Sequence, residues 1–286
     1  MMNILVTGGS GFVGGYVFRY FQEKGYSVKN FDVQGDEIDN DFIKGSILDS
    51  EALVHAVTEY DISVIFHFAG FANINKVKAS PRECINLNIL GTTNVLEASR
   101  LKGNTAVILA SSVYVHSKHG HLYTTSKVAA ERILDNYSSL YNIDSNIVRL
   151  GTVYGERSRH EDVISIFAKK ISNKESISIN GDGEQTRNFI HGEDVAKACE
   201  KIIINKVFGE VLIVSSELPT SINQIASHFK DIDPNIDIVK DKKSYREDDY
   251  EGDVGQVGDT YQKLNWLPKI TIKEGIKRLI SYHQGQ

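Results

Sequence analysis

Short apolar runs alternate along the chain with longer stretches in which apolar residues recur every three or four positions. The runs that predict buried strands are 3–7, 26–31, 63–68, 106–110 and 146–150, all rich in Ile, Leu, Val or Phe. The stretches that predict helices include 14–24, about 83–101, a helix ending near 141, and 163–171. Strands that alternate with helices predict an α/β fold with a doubly wound parallel sheet and right-handed crossovers.

A glycine-rich turn separates the first predicted strand from the first predicted helix. It reads Gly8-Gly9-Ser10-Gly11-Phe12-Val13-Gly14. Glycine permits positive φ and close approach of backbone to a pyrophosphate, and the helix N-terminus supplies N–H donors. The context of strand, turn and helix favours a dinucleotide site at this turn over a plain tight turn.

Asp32 ends the second strand, 18 residues after Gly14. A dinucleotide fold places there the acid that binds the adenosine ribose, and a carboxylate would repel a 2′-phosphate. Asp32 therefore favours NAD over NADP, although a turn aspartate at a strand end is the alternative interpretation. The next apolar strand ends in Phe68-Ala69-Gly70, where small residues would let a cofactor pass.

A tyrosine and a lysine four residues apart, Tyr123 and Lys127, follow a strand that ends in Ser111-Ser112. The spacing places both side chains on one helix face. An ammonium beside a phenol favours the phenolate, and a serine hydroxyl can hold the oxygen of an alcohol or ketone. These groups suit hydride transfer at a carbinol carbon, but the spacing alone is weak evidence.

Composition narrows the class of protein. The 286 residues, with 41% hydrophobic and 24% charged content, suit a globular protein with a sizeable core. The net charge of −5 gives no general attraction to nucleic acid or to anionic membranes. No apolar run approaches the roughly 20 residues that span a bilayer. Cys84 and Cys199 are expected to be buried thiols, and the expected location is the cytoplasm.

Four segments together resemble the extended short-chain dehydrogenase/reductase family, in its nucleotide-sugar epimerase/dehydratase branch, and the resemblance covers nearly the whole chain. The segments are 7–14, 45–49, 88–92 and 181–191. The second resembles the stretch that packs on adenine and contributes Ser46 and Ile47, with Ser46 where the family has an acidic residue. The long last segment is the most specific of the four.

The resemblance implies roles for individual residues. Tyr123 would be the catalytic acid/base, and Lys127 would lower its pKa and bind the nicotinamide ribose. Ser112 would hold the reacting oxygen, and Asn88 would support the helix that carries Tyr123 and lie at the substrate site. Thr152 and Arg187 would contact the nucleotide-sugar, Arg187 at its diphosphate.

Two serines compete for the catalytic position. Alignment from the strand and the turn that follows select Ser112, and Ser111 remains the alternative. Either hydroxyl could instead bond local backbone at the strand end.

The segment after Ser112 departs from the family pattern. Val113 and Tyr114 occupy the places of the Asp-Glu pair of the family's 4,6-dehydratases, so elimination of water is disfavoured. Only ten residues, 113–122, separate Ser112 from Tyr123, fewer than in most relatives. Three histidines in this loop (His116, His119 and His121) invite a metal interpretation, but their spacing fits no common ligand set and we expect no metal.

The C-terminal part is expected to form a smaller α/β substrate domain. We assign 1–151 plus about 187–215 to the dinucleotide domain, and 152–186 plus 216–286 to the substrate domain. Trp266 is expected to be a packing residue, and 240–253 a solvated charged loop. By family analogy, the helices at 83–101 and 123–141 would form a homodimer interface.

The leading functional hypothesis is an NAD-dependent nucleotide-sugar epimerase that acts at C4 of a UDP-hexose through a keto-sugar. The same residues could serve a reductase of a nucleotide 4-keto-6-deoxysugar. A non-catalytic member that senses NAD(H) is the alternative from another class.

Overall fold

The computed structural model describes residues 2–36, 38–72, 74–103, 105–117, 121–158, 162–241 and 254–285. The strands are β1 (Asn3–Thr7), β2 (Ser27–Asp32), β3 (Phe42–Lys44), β4 (Val64–His67), β5 (Ala106–Ser112), β6 (Ser145–Leu150), β7 (Thr152–Tyr154), β8 (Ile177–Asn180), β9 (Thr186–Arg187), β10 (Phe189–His191), β11 (Glu210–Val214), β12 (Thr220–Ser221) and β13 (Ile238–Asp241). The α-helices are α1 (Phe12–Glu23), α2 (Ser50–Glu59), α3 (Ile74–Val77), α4 (Pro81–Ile85), α5 (Gly91–Lys102), α6 (Leu122–Tyr141), α7 (Val163–Ser172), α8 (Gly192–Ile204), α9 (Ile222–Ile232), α10 (Val257–Leu264) and α11 (Ile272–Gln284). A π-helical segment, Asn86–Leu90, joins α4 to α5, and a 3₁₀ turn, Val113–His116, follows β5.

Seven parallel strands form the central sheet in the order β11-β6-β5-β4-β1-β2-β3. The expected doubly wound α/β fold is confirmed. The strand order reverses direction between β1 and β4, and ligands of such sheets bind at the carboxyl edge near that point. The glycine turn follows β1 at this edge, and Phe68-Ala69-Gly70 follow β4.

Helices cover both faces of the sheet. One core contains Val17, Phe18 and Phe21 of α1 together with residues of α8. The other contains Leu53 of α2, Leu96 of α5 and Leu134 of α6. The central strands are therefore apolar on both faces, which explains why their sequence patterns are continuous rather than alternating.

A third core lies in the C-terminal part, among α7, α9 and α11. Its largest members include Tyr154, Phe167, Phe229 and Leu279. Beside it, β8 and β13 pair in parallel. This is the smaller α/β unit expected from the sequence.

The segment around α10 differs from the predicted domain division. We assigned all of 216–286 to the substrate domain, yet Leu264 and Trp266 pack in the first core with Val195 and Leu212. The physical reason is the sheet edge: β11 is the last strand, and its Ile213 N–H donates to Thr260 Oγ1 at 2.7 Å. Helix α10 thus covers an edge whose backbone groups would otherwise lack a partner. Trp266 is a packing residue here, while most of the predicted loop at 240–253 lies outside the described residues.

Candidate active site

The glycine turn forms a close backbone cradle between β1, β4 and α1. Gly8 has φ +75°, and a Cβ there would lie 2.6 Å from the Ala69 nitrogen. A Cβ at Gly14 would overlap the Gly8 carbonyl oxygen, and one at Gly11 would lie 3.0 Å from the same oxygen. The first two residues of helix α1 are Phe12 and Val13, and the N-cap residue, Gly11, has no side chain that could cap the helix. The first N–H groups of α1 are therefore available to a pyrophosphate.

Asp32 lies beside this cradle at the end of β2. Its Oδ2 accepts the Ser10 N–H at 3.0 Å, and its Oδ1 accepts the Gln34 N–H at 3.2 Å. The second bond is the strand-end turn that the alternative interpretation predicted, so both interpretations fit the same residue. A carboxylate has about four acceptor positions, which leaves room for ribose hydroxyls. The cradle and Asp32 together fit a dinucleotide with a free 2′-hydroxyl.

Ser46 and Ile47 lie between β3 and α2. The Ile47 side chain is 4% exposed and packs in the core beneath Gly91. The Ser46 hydroxyl accepts the Leu48 N–H at 3.2 Å. The expected contact with adenine stays a prediction, and for Ile47 it would have to use backbone because the side chain is buried.

A buried chain of hydrogen bonds connects the end of β4 to the π-helical segment. His67 contacts Thr7 Oγ1 through Nδ1 at 2.7 Å and Thr92 Oγ1 through Nε2 at 3.1 Å. Because Thr92 donates its hydrogen to the Asn88 carbonyl, it must accept from His67 Nε2–H. Burial, with a smaller effect from the Lys127 charge, lowers the pKa of His67 to about 3. His67 is therefore a neutral structural residue, which no sequence motif indicated.

Ser112, Tyr123 and Lys127 come together at the carboxyl end of β5. Ser112 and Tyr123 are buried, and the Ser112 hydroxyl lies beside the Tyr123 phenol. The Ser112 hydroxyl also accepts the Tyr114 N–H at 3.2 Å, which is the local backbone bond that the alternative interpretation predicted. The Lys127 ammonium donates to the Ala110 carbonyl at 2.9 Å. A Cβ on Gly70 would lie 3.9 Å from Lys127 Nζ, so the ammonium lies near the end of β4, toward the glycine cradle.

Burial dominates the protonation of both ionisable groups. It raises the pKa of Tyr123 to about 12, against an opposing effect of the Ser112 hydrogen bond and with smaller increases from Tyr114 and Cys84. Burial lowers the pKa of Lys127 to about 8. The expected lowering of the Tyr123 pKa by Lys127 is not among these effects, because the ammonium is directed at Ala110 and Gly70. Among the effects of the chain's own residues on Tyr123, that of Ser112 is the one that favours the phenolate form.

Ser111 belongs to a different network. Its hydroxyl donates to Glu131 Oε1 at 2.6 Å, and Arg149 binds both carboxylate oxygens of Glu131 at 3.0 and 2.7 Å. Arg149 Nη1 also contacts His116 Nε2 at 3.0 Å. Because the Ser112 hydroxyl lies beside Tyr123 whereas Ser111 is committed to Glu131, Ser112 stays the preferred prediction for the catalytic hydroxyl. The Glu131–Arg149 pair was not predicted, since two oppositely charged residues 18 apart carry no sequence signal.

Asn88 connects the first turns of α6 to the segment that follows β4 by hydrogen bonds. Its side-chain amide accepts the Phe71 N–H at 2.7 Å, and donates to the Phe71 carbonyl at 3.0 Å and to Ser126 Oγ at 2.8 Å. The residue is 1% exposed. These contacts favour the supporting role over direct contact with substrate.

Thr152 and Arg187 lie on two neighbouring two-stranded ribbons. Thr152 begins β7, directly after the end of β6, whose Leu150 pairs with Ser112. Arg187 lies on β9, which pairs with β12, and is two residues before β10. The register pairs Thr152 with Phe189, and the Thr152 N–H donates to the Asn188 carbonyl at 2.9 Å, so the backbone of Thr152 lies close to that of Arg187.

The segment that follows Ser112 begins with a 3₁₀ turn, Val113–His116, which has an apolar base. Val113 packs against Ile213, Val254 and Val257, so the first position of the dehydratase acid pair is buried in hydrocarbon. His121 caps α6 by accepting the Thr124 N–H at 3.3 Å, and His119 lies outside the described residues. Within the described ranges, no group of three or more His, Cys, Asp or Glu side chains is arranged to hold a metal ion.

No helix among the described residues combines the length and apolar character needed to cross a membrane.

Comparisons with known proteins agree with this geometry. Residues 4–214 match the NAD dependent epimerase/dehydratase family. A Methanocaldococcus jannaschii protein provisionally named UDP-glucose 4-epimerase is 30% identical, over 98% of this chain and 97% of its own length. UDP-glucuronate 4-epimerase of Thermodesulfobacterium geofontis is also 30% identical, over 81% of this chain and 76% of that protein.

A solved structure of similar architecture is the Thermotoga maritima UDP-glucose 4-epimerase with UDP-glucose. It aligns with a TM-score of 0.87 and 26% identity, and the alignment covers 99% of each chain. The chain that carries the cradle, Asp32 and the Ser112–Tyr123–Lys127 site therefore belongs to the NAD dependent epimerase/dehydratase family. The protein is an NAD-dependent enzyme of nucleotide-sugar chemistry.

Proposed function

We propose that this enzyme epimerises C4 of a UDP-hexose. The observation that carries the proposal is the meeting of Ser112, Tyr123 and Lys127 at the carboxyl end of β5, with the Ser112 hydroxyl beside the Tyr123 phenol and Lys127 directed toward the nucleotide cradle. Relatives that support the substrate class include the 4-epimerases of UDP-glucose and UDP-glucuronate. NAD, when bound, would accept the hydride from C4 and later return it, and its oxidised ring would add a positive charge near the Tyr123 phenol.

The residues of the chain would manage the proton and the geometry. Tyr123 would take the proton of the C4 hydroxyl and return it after the hydride has come back. Ser112 would hold the same oxygen in both halves of the reaction, as alcohol and as ketone. Lys127, the cradle residues and Asp32 would hold the dinucleotide, through its nicotinamide ribose, pyrophosphate and adenosine ribose respectively.

Inversion requires that the keto-sugar turn while its nucleotide stays bound. Thr152 and Arg187, on two neighbouring strand pairs, are the proposed contacts for the nucleotide-sugar, with Arg187 at the diphosphate. The hydrocarbon around Val113 offers no group to remove a proton from C5 and expel the C6 hydroxyl. This favours return of the hydride to C4 over elimination.

The test is incubation of the purified enzyme with UDP-glucose. We expect UDP-galactose to form with no net change in NADH absorbance. Stoichiometric consumption of added NADH by a keto-sugar would instead indicate a reductase. Bound NAD(H) without turnover of any nucleotide-sugar would support the sensing alternative.

We propose as well that two copies pair through α5 and α6. Leu90 and Leu101 near α5 and Leu140 of α6 are apolar and at least half exposed. Light scattering coupled to size-exclusion chromatography should give about twice the 31.9 kDa chain mass. A monomer would contradict this part of the proposal.

A further inference from the structure

A second enclosed tyrosine lies on α1, two residues after the glycine cradle. Tyr16 donates to Glu156 Oε2 at 2.6 Å and lies 3.0 Å from the Glu156 carbonyl oxygen. His191 Nε2 contacts the same carboxylate oxygen at 3.1 Å. We call these three residues the Tyr16–Glu156–His191 junction.

The hydrogen-bond directions within the junction are determined. His191 caps α8 by accepting the Glu193 N–H at Nδ1, 3.2 Å away. Its hydrogen must therefore be on Nε2, which donates to Glu156. The bonds from His191 and Tyr16 help to lower the pKa of Glu156 to about 2, against burial. Glu156 is therefore an ionised acceptor for one buried donor, His191, and one half-buried donor, Tyr16.

Two glycines make room for the Tyr16 ring. Gly155 has φ +146°, and a Cβ there would overlap the Tyr16 hydroxyl. A Cβ at Gly192 would overlap the Tyr16 ring itself. The ring also makes edge contacts with Phe12 at 5.7 Å and with His191 at 5.5 Å between centroids. The junction is thus packed as well as hydrogen-bonded.

Its location is informative because three functional segments meet there. Tyr16 is on the helix that begins at the cradle. Glu156 follows β7, which begins at the candidate substrate residue Thr152. His191 ends β10, which follows Arg187 and pairs with β7 in parallel, His191 opposite Tyr154.

We propose that Glu156 is a positioning residue that fixes the nucleotide-sugar segments around Thr152 and Arg187 against the cofactor helix α1. It acts through Tyr16 and His191. The identity of the ligand, a nucleotide-sugar, rests on the proposed function, and the positioning role of Glu156 adds to that function. It predicts that weakening the junction impairs binding of the nucleotide-sugar more than the chemical step.

The chain contains a matched control for a purely structural role. Tyr20, one helical turn after Tyr16, also donates to a carboxylate, Glu200 Oε2 at 2.7 Å. Glu200 is on α8, away from β7 and β10. Tyr16→Phe and Tyr20→Phe each remove one phenolic hydrogen bond to a glutamate from the same helix, but only the first touches the junction.

The experiment compares wild type and both variants as full-length, NAD-loaded enzyme. Titration calorimetry with UDP-glucose and steady-state kinetics give Kd, KM and kcat. We expect Tyr16→Phe to raise Kd and KM about fivefold or more, with kcat within about twofold, and Tyr20→Phe to leave all three within about twofold. Equal effects of the two variants, or a loss confined to kcat, would overturn the inference.

Two further measurements separate this inference from the proposed substrate. Amide hydrogen exchange over 152–158 requires no nucleotide-sugar; we expect it to quicken in Tyr16→Phe and not in Tyr20→Phe. If wild type neither binds nor converts UDP-glucose, the proposed function fails while the exchange result still decides the junction, and unchanged exchange in both variants would contradict it. If Tyr16→Phe does not fold, Glu156→Gln, which keeps the shape and one acceptor oxygen, replaces it with the same expectations.

Discussion

Tyr123 and Tyr16 are both enclosed phenols near the start of a helix, but the neighbouring side chains of Ser112 and Glu156 shift the pKa of the two phenols in opposite directions. Tyr123 lies beside the neutral Ser112 hydroxyl, which partly offsets the rise in pKa that burial causes. Tyr16 is bonded to the Glu156 carboxylate, which adds to the effect of burial and holds the phenol pKa far above its usual value. A serine partner and a nearby lysine suit a tyrosine that moves a proton, whereas a carboxylate partner suits one that keeps it.

The largest expected effect comes from removing the proton-moving phenol. Tyr123→Phe should lower kcat about 10³-fold, because it removes the phenol that is proposed to take the C4 hydroxyl proton. The same change at Tyr16 should leave kcat within about twofold. Steady-state kinetics of both variants, with bound NAD quantified after purification, measure the contrast. Comparable kcat values for the two variants would show that the two tyrosines do not differ in the proposed way.

The two adjacent serines offer the next contrast. Ser112→Ala should lower kcat about 10²-fold, since it removes the hydroxyl proposed to hold the reacting oxygen beside Tyr123. Ser111→Ala should leave kcat nearly unchanged but cost about 1–3 kcal/mol in free energy of unfolding, because Glu131 loses a buried donor. Urea unfolding and kinetics on both variants measure this. A large kcat loss in Ser111→Ala alone would reverse our assignment.

Lys127 should lower the stability of the fold at neutral pH. Its folded pKa of about 8 lies below the ordinary 10.5, so the unfolded chain binds more protons between these values. Lys127→Met should therefore be more stable than wild type at pH 7, by roughly 1–3 kcal/mol. The gap should narrow as pH rises from about 8 to about 10.5. Denaturant unfolding of both proteins across this range tests it; a gap independent of pH would contradict the buried ammonium.

Glu156 should behave in the opposite way. Its folded pKa of about 2 lies below the ordinary 4.5, so its stabilisation is complete above pH 4.5 and is lost as pH falls toward 2. Glu156→Gln should be less stable than wild type at pH 7 by roughly 1–2 kcal/mol. Acid unfolding should show the two proteins converging below pH 4.5. Parallel curves would mean that the carboxylate is not held as described.

The smallest effect concerns the choice of dinucleotide. Asp32→Ala should weaken NAD about fivefold and reduce the preference for NAD over NADP, since the ribose loses an acceptor and a 2′-phosphate loses a repelling charge. Asp39→Ala, in the loop after β2, is the control; its carboxylate accepts the Asp41 N–H at 2.9 Å. Fluorescence titration with both dinucleotides measures the ratio. An unchanged ratio in Asp32→Ala would favour the turn interpretation of this residue.

The sequence predicted the strands of the central sheet better than the contacts between segments that are distant in the chain. Strands β1, β2, β4, β5 and β6 were predicted to within two residues, because strands buried on both faces are continuous apolar runs between breakers. Strand β3 has two half-buried residues and one exposed residue, and its sequence is no continuous apolar run. Helix α10 was placed in the wrong unit because its contact with the sheet edge depends on Thr260 meeting Ile213 across 47 residues.

In the candidate site, too, local sequence patterns were predictable and contacts between distant residues were not. The spacing of Tyr123 and Lys127 and the glycine turn are local patterns that indicate their own chemistry. The preference for Ser112 over Ser111 stays a prediction, and the structure adds to it only through their surroundings: Tyr123 lies beside Ser112, and Glu131 accepts from Ser111. The Tyr16–Glu156 bond joins residues 140 apart, so periodicity and spacing could not predict it.

The central claim is that Tyr123 supports transfer of a hydride away from C4 and back to the same carbon. The most direct measurement uses UDP-glucose carrying deuterium at C4, with mass spectrometry of the UDP-galactose formed. We predict that the product keeps the deuterium at C4 and that no label appears in free NADH. Loss of the label to an exchanging nicotinamide, or UDP-galactose with hydrogen from solvent at C4, would contradict the account.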